Sequence, residues 1–197
     1  MAYGMGLDPR IGPSFLKAGI GFGGFCFPKD LAAFERMAER LGAPFYLLKK
    51  VLESNEEQKV YFVNKIRNAL WNLSNKRIGI LGLSFKPNTD DMRFAPSIEI
   101  IQALQKEGAI VQAYDPEAMA KSKTLFKKVI FKRNPYEVAK KADALAILTE
   151  WDEFLQMDFK RVKKLLRNPV IFDGRNALNP KELKKLGFHY YGMGRKA

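Results

Sequence analysis

The residues of this sequence best suited to chemistry lie in segment 21–30, Gly-Phe-Gly-Gly-Phe-Cys-Phe-Pro-Lys-Asp. Cys26 is the single cysteine, so it forms no internal disulfide and no cysteine-based metal site. A predicted helix start and Lys29 beside it favour the thiolate, the nucleophilic form of cysteine. Asp30 follows four residues later and could hold a water or pass a proton. The alternative is a buried cysteine between two phenylalanines, with Asp30 only capping a helix.

Two cations form a second candidate site. Lys86 and Arg93 lie in the loop after a predicted strand at 77–83, and ligands of a parallel sheet bind beyond the carboxyl ends of its strands. A phosphate could lie between them. The loop lacks a G-x-G-x-x-G fingerprint, so this part of the chain is not expected to bind NAD in the usual Rossmann manner. The alternative is a surface loop with two solvated cations.

The elements that must position these groups differ along the chain. Glycine and proline interrupt the first 30 residues, Asp30 is predicted to cap a helix that ends at Gly42, and a helix is predicted over 45–71. A helix of that length, roughly 40 Å, bridges two domains or packs on a partner chain, and we expect both. Short apolar runs then alternate with helical stretches. The runs are at 77–83, 109–114, 129–131, 142–148, 169–172 and 188–191, and the helices at 96–106, 136–140, 160–166 and 181–186.

This pattern predicts an α/β fold. Strands that are apolar on both faces and alternate with helices are typical of a parallel sheet covered on two sides. We therefore expect a helical central segment at 1–74 with a long connecting helix, followed at 75–197 by a Rossmann-like, three-layer α/β/α domain with a mostly parallel sheet.

Composition limits the possible functions. The 197 residues are 47% hydrophobic, which excludes a disordered chain. No apolar run approaches the ~18 residues of a membrane span, and the N-terminus resembles no secretion signal. One cysteine and one histidine indicate a reducing, cytoplasmic setting and no metal site. The net charge of +13 favours a polyanionic partner, such as nucleic acid, anionic lipid or a phosphorylated small molecule, unless it only reflects solvated helix faces.

Several motifs resemble one family. Segment 21–30 is similar to the active-site signature G-F-G-G-S-C-F-P-K-D of the UDP-glucose 6-dehydrogenases, within the UDP-glucose/GDP-mannose dehydrogenase family; Phe25 replaces the serine. The replacement could reshape the sugar end of the site or only alter packing. Further similar motifs follow in the family's order, so the resemblance spans essentially the whole chain. They lie at 6–13, 15–19, 55–59, 82–93, 95–97 and 172–176.

The resemblance implies oxidation of UDP-glucose to UDP-glucuronate by two NAD+ in successive hydride transfers. Cys26 would add to the intermediate aldehyde and carry a thioester that water cleaves, and Asp30 would act as acid/base or position the water. Lys29 and Arg93 match positions that contact NAD. Arg10 resembles an arginine that reaches the neighbouring subunit's pocket, which implies a homodimer through the central helical segment. Further matches to UDP-sugar-binding positions are Phe15, Leu16, Lys17, Ala18, Gly19, Gly23, Phe85, Lys86 and Arg175.

The resemblance covers only the C-terminal portion of the family's usual chain. The N-terminal NAD-binding domain is therefore expected elsewhere, and the sequence represents a fragment, a split-gene product or a truncation. We expect this chain alone to bind UDP-sugar weakly without turnover, with no membrane or nucleic-acid partner. The alternatives are a non-catalytic nucleotide-sugar-binding or scaffold protein, a relative acting on UDP-N-acetylhexosamine or GDP-mannose, and a basic nucleic-acid-binding domain, for which no recognition module is present.

Overall fold

The computed structural model describes residues 1–13 and 16–195. The helices are α1 (Ala2–Gly6), α2 (Cys26–Arg40), α3 (Tyr46–Leu70), α4 (Pro96–Lys106), α5 (Met119–Leu125), α6 (Pro135–Ala139), α7 (Asp152–Leu155), α8 (Phe159–Leu165) and α9 (Pro180–Lys185). The strands are β1 (Arg77–Leu81), β2 (Ile110–Tyr114), β3 (Ile130–Phe131), β4 (Ala144–Ile147), β5 (Val170–Asp173) and β6 (His189–Gly192). Among these helices, none is both long and apolar enough to cross a membrane.

The six strands form one sheet in the order β3-β2-β1-β4-β5-β6, and every pair is parallel. Ile78 of β1 pairs with Val111 of β2 on one side and with Ala144 of β4 on the other. Because the strands are parallel, their carboxyl ends and the loops that follow them share one edge of the sheet. This edge positions the candidate site.

Helices bury both faces of the sheet. Successive strand residues point to opposite faces, so Ile78 and Ile80 pack with Phe62 of α3 and Ile100 of α4, while Leu145, Ile147 and their neighbours pack under α6 to α9. The strands read as continuous apolar runs because neither face meets water. The α/β class and the parallel sheet predicted from the sequence are therefore confirmed.

The predicted long helix is α3, whose 25 residues span Tyr46–Leu70. Helix α2 ends near the predicted glycine: Gly42 follows its last turn with φ +70°, a left-handed conformation that terminates many helices. Two short helices, α5 and α7, had no signal in the sequence, since α5 is lysine-rich with little apolar periodicity and α7 has only four residues. The division at residue 74 stays a prediction.

The predicted start of α2 was wrong. The helix begins at Cys26, so Asp30 lies inside it and is not its cap. Pro28 suggested a later start, but a proline in the first turn is tolerated because the N–H groups of that turn lack intrahelical acceptors. The earlier start places Asp30 one turn after Cys26, on the same face of α2.

Candidate functional site at the carboxyl edge of the sheet

The loops after β1, β4 and β5 carry side chains to the shared carboxyl edge. Phe85 and Lys86 follow β1, Glu150 follows β4, and Arg175 follows β5. The N-terminal segment 16–24 lies against the same edge, where the carbonyl of Gly21 accepts a bond from Arg175 Nη1 at 3.4 Å. Groups that are 154 residues apart in the sequence thus meet in one place.

Arg175 is held by a bidentate pair. Its Nε and Nη2 donate to the two carboxylate oxygens of Glu150 at 2.7 and 3.0 Å. Burial alone would raise the pKa of Glu150, but the hydrogen bonds and charge of Arg175, with the charge of Lys17, outweigh it and lower that pKa below its usual value. Planar guanidinium–carboxylate pairing fixes the orientation of the cation as well as its position.

A small cavity of about 180 Å³ lies beside this pair. Its walls include Lys17, Ala18, Glu150, Arg175 and Asn176. Gly19 borders it closely, because a Cβ at that position would lie 3.3 Å from Arg175 Nη1. Three of the predicted substrate residues, Lys17, Ala18 and Arg175, therefore share one pocket.

A buried aspartate shapes the loop that carries Arg175. Asp173, at the end of β5, accepts hydrogen bonds from the backbone N–H of Arg175 at 3.0 Å and of Leu178 at 2.8 Å. The hydroxyl of Tyr190 also donates to it, at 3.0 Å. Burial, followed by the negative charge of Asp173, raises the pKa of Tyr190, so the phenol stays a neutral donor. The Asp173 carboxylate therefore fixes the turn from which Arg175 projects.

Two glycines let the cysteine segment lie against the β1 loop. Gly24 has φ +84° and a Cβ there would lie 2.8 Å from the ring of Phe85, while a Cβ on Gly23 would collide with the carbonyl oxygen of Phe94. The N–H of Gly24 donates to the carbonyl of Arg93 at 2.9 Å. Only residues without a side chain allow this approach. The Lys86 ammonium lies 5.3 Å from the centroid of the Phe85 ring.

Cys26 is the first residue of α2 and is exposed. The free N–H groups and dipole of a helix N-terminus favour a negative charge there. The hydrogen bonds to Asp91 are the main reason that the pKa of Arg93 is raised. The alternative of a buried cysteine is wrong.

Phe25 lies between the two cations that the resemblance assigns to NAD. The guanidinium carbon of Arg93 is 4.5 Å and the ammonium of Lys29 is 5.2 Å from the centroid of its ring. Lys29 also pairs with Asp30 at 3.3 Å. The residue that departs from the family signature therefore contacts both cations by its ring face.

Three predicted substrate residues are not joined to this edge by the contacts described. Arg10 pairs with Asp8 at 2.7 Å, and its side chain is 87% exposed. Leu16 is half-buried near the start of segment 16–24. Phe15 lies outside the described residues. The expected roles of all three stay predictions.

Sequence reasoning missed two residues that hold the site together. Glu150 orients Arg175, and Asn55 binds the backbone of Phe22 at both ends, accepting from its N–H at 2.7 Å and donating to its carbonyl at 3.2 Å. An asparagine in the middle of a helix is unfavourable unless its side chain has a partner. That was a usable signal for Asn55, whereas Glu150 had none.

The residues present do not form a complete site for NAD. The carboxylate after β2, which in a dinucleotide-binding unit bonds the ribose, is Asp115, and here it is fully buried and bonded to backbone N–H groups. A cavity of about 660 Å³ borders Arg93, which pairs with Asp91, and Lys121 on the same cavity pairs with Asp90. The contacts of Lys29 and Arg93 with NAD stay a prediction.

Comparison with known proteins agrees with this geometry. Residues 1–57 match the central domain, and residues 79–180 the UDP binding domain, of the UDP-glucose/GDP-mannose dehydrogenase family. The chain is 45% identical over its full length to UDP-glucose 6-dehydrogenase TuaD of Bacillus subtilis, covering 43% of that protein, and 46% identical to YwqF of the same organism, covering 45% of it.

A solved UDP-glucose dehydrogenase from Pyrobaculum islandicum is 36% identical and superposes with a TM-score of 0.85, covering 97% of this chain and 42% of that one. The chain thus spans less than half the length of each of these relatives. On these grounds the chain belongs to the UDP-glucose/GDP-mannose dehydrogenase family.

Proposed function

We propose that this chain is the UDP-sugar-binding, cysteine-bearing portion of an NAD-dependent UDP-glucose 6-dehydrogenase of the cytoplasm. The relatives named UDP-glucose 6-dehydrogenases cover it end to end at up to 46% identity. Because the chain spans less than half of those relatives, the whole reaction needs residues beyond these 197. By itself the chain binds UDP-sugar without turnover.

One observation carries this proposal: the backbone that leads to an exposed thiol at a helix N-terminus packs on the carboxyl edge of the parallel sheet, the edge that also carries cations from distant segments. Lys17 and Arg175 line one pocket, and the Gly23–Gly24 backbone that leads to Cys26 packs on Phe85, next to Lys86. A diphosphate needs several cationic donors, and Arg175 has further N–H groups on Nη1 and Nη2 beyond those that bind Glu150 and Gly21.

The residues then divide by role. Lys17, Lys86 and Arg175 bind the diphosphate, Phe85 contacts the nucleotide, and Gly19 and Gly23 contact the ligand through their backbone. Phe15, Leu16 and Ala18 line the same pocket, and Arg10 enters the pocket of a second copy across a dimer formed by the central helical segment. Lys29 and Arg93 contact the margin of NAD, which accepts the hydrides when bound.

Cys26 and Asp30 perform the covalent chemistry. The thiolate adds to the aldehyde carbon, and the resulting tetrahedral carbon carries the hydrogen that an aldehyde alone cannot release as hydride. Asp30, one turn along the same face of α2, holds the water that later cleaves the thioester and takes its proton. Lys29 pairs with Asp30 at 3.3 Å and helps to orient its carboxylate.

Binding and chemistry are tested separately. Calorimetric titration with UDP is expected to show binding by the wild-type chain and by Cys26→Ser, and a loss of about tenfold or more in Arg175→Ala, because a charged donor to the phosphate is removed. UDP-glucose is expected to slow alkylation of Cys26 by iodoacetamide. No binding of UDP by the folded wild-type chain would refute the proposal.

Turnover is tested by NADH formation from UDP-glucose. The chain alone is expected to give none, and addition of a separately expressed N-terminal half of a close relative is expected to restore it. In that mixture Cys26→Ser abolishes the reaction and Asp30→Asn slows it by roughly a hundredfold or more. A robust rate from the chain alone would show that the missing half is dispensable.

A second candidate function is non-catalytic binding of a nucleotide sugar. Phe25 favours it, because a ring in place of serine next to the nucleophile contacts both Lys29 and Arg93. UDP binding without restored turnover in the mixture would support this candidate. Activity that appears with UDP-N-acetylhexosamine or GDP-mannose and not with UDP-glucose would instead assign a different sugar to the same site.

A further inference from the structure

Asp115, directly after β2, is a buried carboxylate that the proposed chemistry does not use. It is fully buried, a position that carboxylates occupy only when hydrogen bonds or ion pairs compensate for lost water. No ion pair among residues 1–13 and 16–195 includes it. The hydrogen bonds that compensate for its burial come from neutral donors.

Six hydrogen bonds converge on this carboxylate. Oδ2 accepts from the N–H of Leu83 at 2.7 Å, from the N–H and hydroxyl of Ser84 at 3.1 and 3.2 Å, and from the indole N–H of Trp151 at 3.2 Å. Oδ1 accepts from the N–H of Glu117 at 3.0 Å and of Ala118 at 2.8 Å. Three different loops at the carboxyl edge of the sheet are therefore joined to one side chain.

One of these loops carries the proposed phosphate ligand Lys86, and another carries Glu150, which orients the proposed ligand Arg175. Leu83 and Ser84 immediately precede Phe85 and Lys86, and Trp151 immediately follows Glu150, the partner of Arg175. The hydroxyl of Thr149 adds a direct link, donating to the carbonyl of Ser84 at 2.6 Å. Asp115 thus bonds both to the loop that presents Lys86 and to the loop that orients Arg175.

We propose that Asp115 is a positioning residue for UDP binding. It holds the Phe85–Lys86 loop at a fixed distance from the Glu150–Arg175 pair, so that both cations meet one diphosphate. The proposal rests on the proposed function. An asparagine of the same shape cannot replace it, because its NH2 group would face N–H donors and leave at least one of them without an acceptor.

The decisive test compares Asp115→Asn with a matched control, Asp143→Asn. Asp143 is also buried, but it lies at the opposite end of the sheet, where it accepts from the N–H of Arg77 at 2.7 Å and pairs with Arg167 at 3.4 Å. Both variants lose hydrogen bonds to a buried carboxylate. The Kd for UDP and for UMP is measured by calorimetry at a temperature where circular dichroism shows that wild type and variants are folded.

We expect Asp115→Asn to raise the Kd for UDP about tenfold and to reduce the ratio of the UMP to the UDP Kd, since the misplaced cations serve the second phosphate. We expect Asp143→Asn to leave both the Kd and the ratio at the wild-type values. A merely structural role for Asp115 would not change the ratio. A folded Asp115→Asn variant with wild-type Kd values, or equal losses in both variants, overturns the proposal.

Two further measurements keep the outcome decisive. If Asp115→Asn does not fold, Trp151→Phe removes one donor and keeps most of the ring; a two- to threefold rise in the Kd for UDP, roughly, supports the proposal and no change overturns it. If the wild-type chain binds no UDP, the proposed function fails on its own. Hydrogen exchange at the Leu83 and Ser84 amides then decides: faster exchange in Asp115→Asn than in Asp143→Asn supports loop positioning, and equal exchange overturns it.

Discussion

The helical segment and the sheet domain differ in how much of their apolar surface is buried. Strand β4 is buried at all four positions, whereas α2 buries none of its 15 residues and leaves Phe34 and Met37 half exposed or more. Helix α3 belongs to both regions: Leu47 near its start is 68% exposed and Phe62 further along is fully buried. The sheet domain contains its own core, and the helical segment presents an apolar surface.

The proposed nucleophile and the proposed phosphate ligands lie in regions that differ in burial. Cys26 lies in the region with little burial, attached through a few hydrogen bonds such as those of Asn55, while the proposed phosphate ligands Lys86 and Arg175 lie in loops that follow strands of the buried sheet. Functional segments commonly come from the less stable part of a protein, mounted on a stable scaffold. The exposed apolar surface of α2 and α3 is where we expect the second copy in the proposed dimer.

The largest expected effect is a difference in the free energy of unfolding between substitutions at the two ends of α3. Phe62→Ala is expected to lower the free energy of unfolding by about 3–5 kcal/mol, because it leaves a cavity under the sheet. Leu47→Ala on the same helix is expected to cost no more than about 0.5 kcal/mol, since the side chain is already in water. Urea denaturation at low protein concentration measures both.

Varying the protein concentration tests whether a second copy covers the start of α3. If the cost of Leu47→Ala grows with concentration, a second copy covers that end of α3 in solution. Equal costs for the two variants at low concentration would contradict the difference between the regions.

An intermediate effect is expected at the junction of the two regions. Asn55→Ala leaves the N–H and carbonyl of Phe22 without partners and should cost about 1–2 kcal/mol of local stability. Limited proteolysis between residues 16 and 25 is expected to become faster, and UDP binding weaker. Asn68→Ala, at an exposed position of the same helix, is the matched control and should leave both at wild-type values. The same proteolysis rate in both variants would show that Asn55 does not hold the segment.

The sequence was sufficient for the sheet but not for every detail of the helices. Apolar runs such as 77–83 and 142–148 predicted β1 and β4. A strand that is buried on both faces is apolar at consecutive positions, so no inner and outer face has to be assigned from the sequence. The start of α2 was misplaced because Asp30 resembles a cap and Pro28 a boundary, although both are compatible with the interior or first turn of a helix. Several sequence features typical of a helix end can lie close together, and the packing of the folded chain determines which residue begins the helix.

For the site, composition and motif indicated the cations but not their partners. Arg175 and Lys17 were predicted from the motifs. Glu150, which pairs with Arg175, could be identified only in the structure, because the parallel pairing of β4 and β5 brings the ends of these strands side by side. Asp115 was unremarkable in the sequence, because a carboxylate gives no sign that it will be buried. Residues that act through other residues are visible only once the chain is folded.

The smallest expected effect is a difference in pH-dependent stability between two ion pairs, Asp8–Arg10 in the helical segment and Glu150–Arg175 in the sheet domain. Arg10, which is exposed, lowers the pKa of the half-buried Asp8 through a side-chain hydrogen bond, whereas Glu150 has its pKa lowered by Arg175 and Lys17 against the opposing effect of burial. A carboxylate whose pKa is lower in the folded state stabilises the fold above its ordinary pKa of about 4.3, and that contribution disappears as the pH falls below this value.

Thermal unfolding of three proteins between about pH 7 and about pH 3 measures the difference. Glu150→Gln should have a lower Tm than wild type near neutral pH, and the two values should converge as the pH falls below about 4. Asp8→Asn should follow wild type throughout at about 0.15 M salt, because solvent and ions screen an exposed pair. If the Tm of Glu150→Gln runs parallel to wild type at every pH, the Arg175 pair contributes geometry to the site and no charge-dependent stability to the sheet domain.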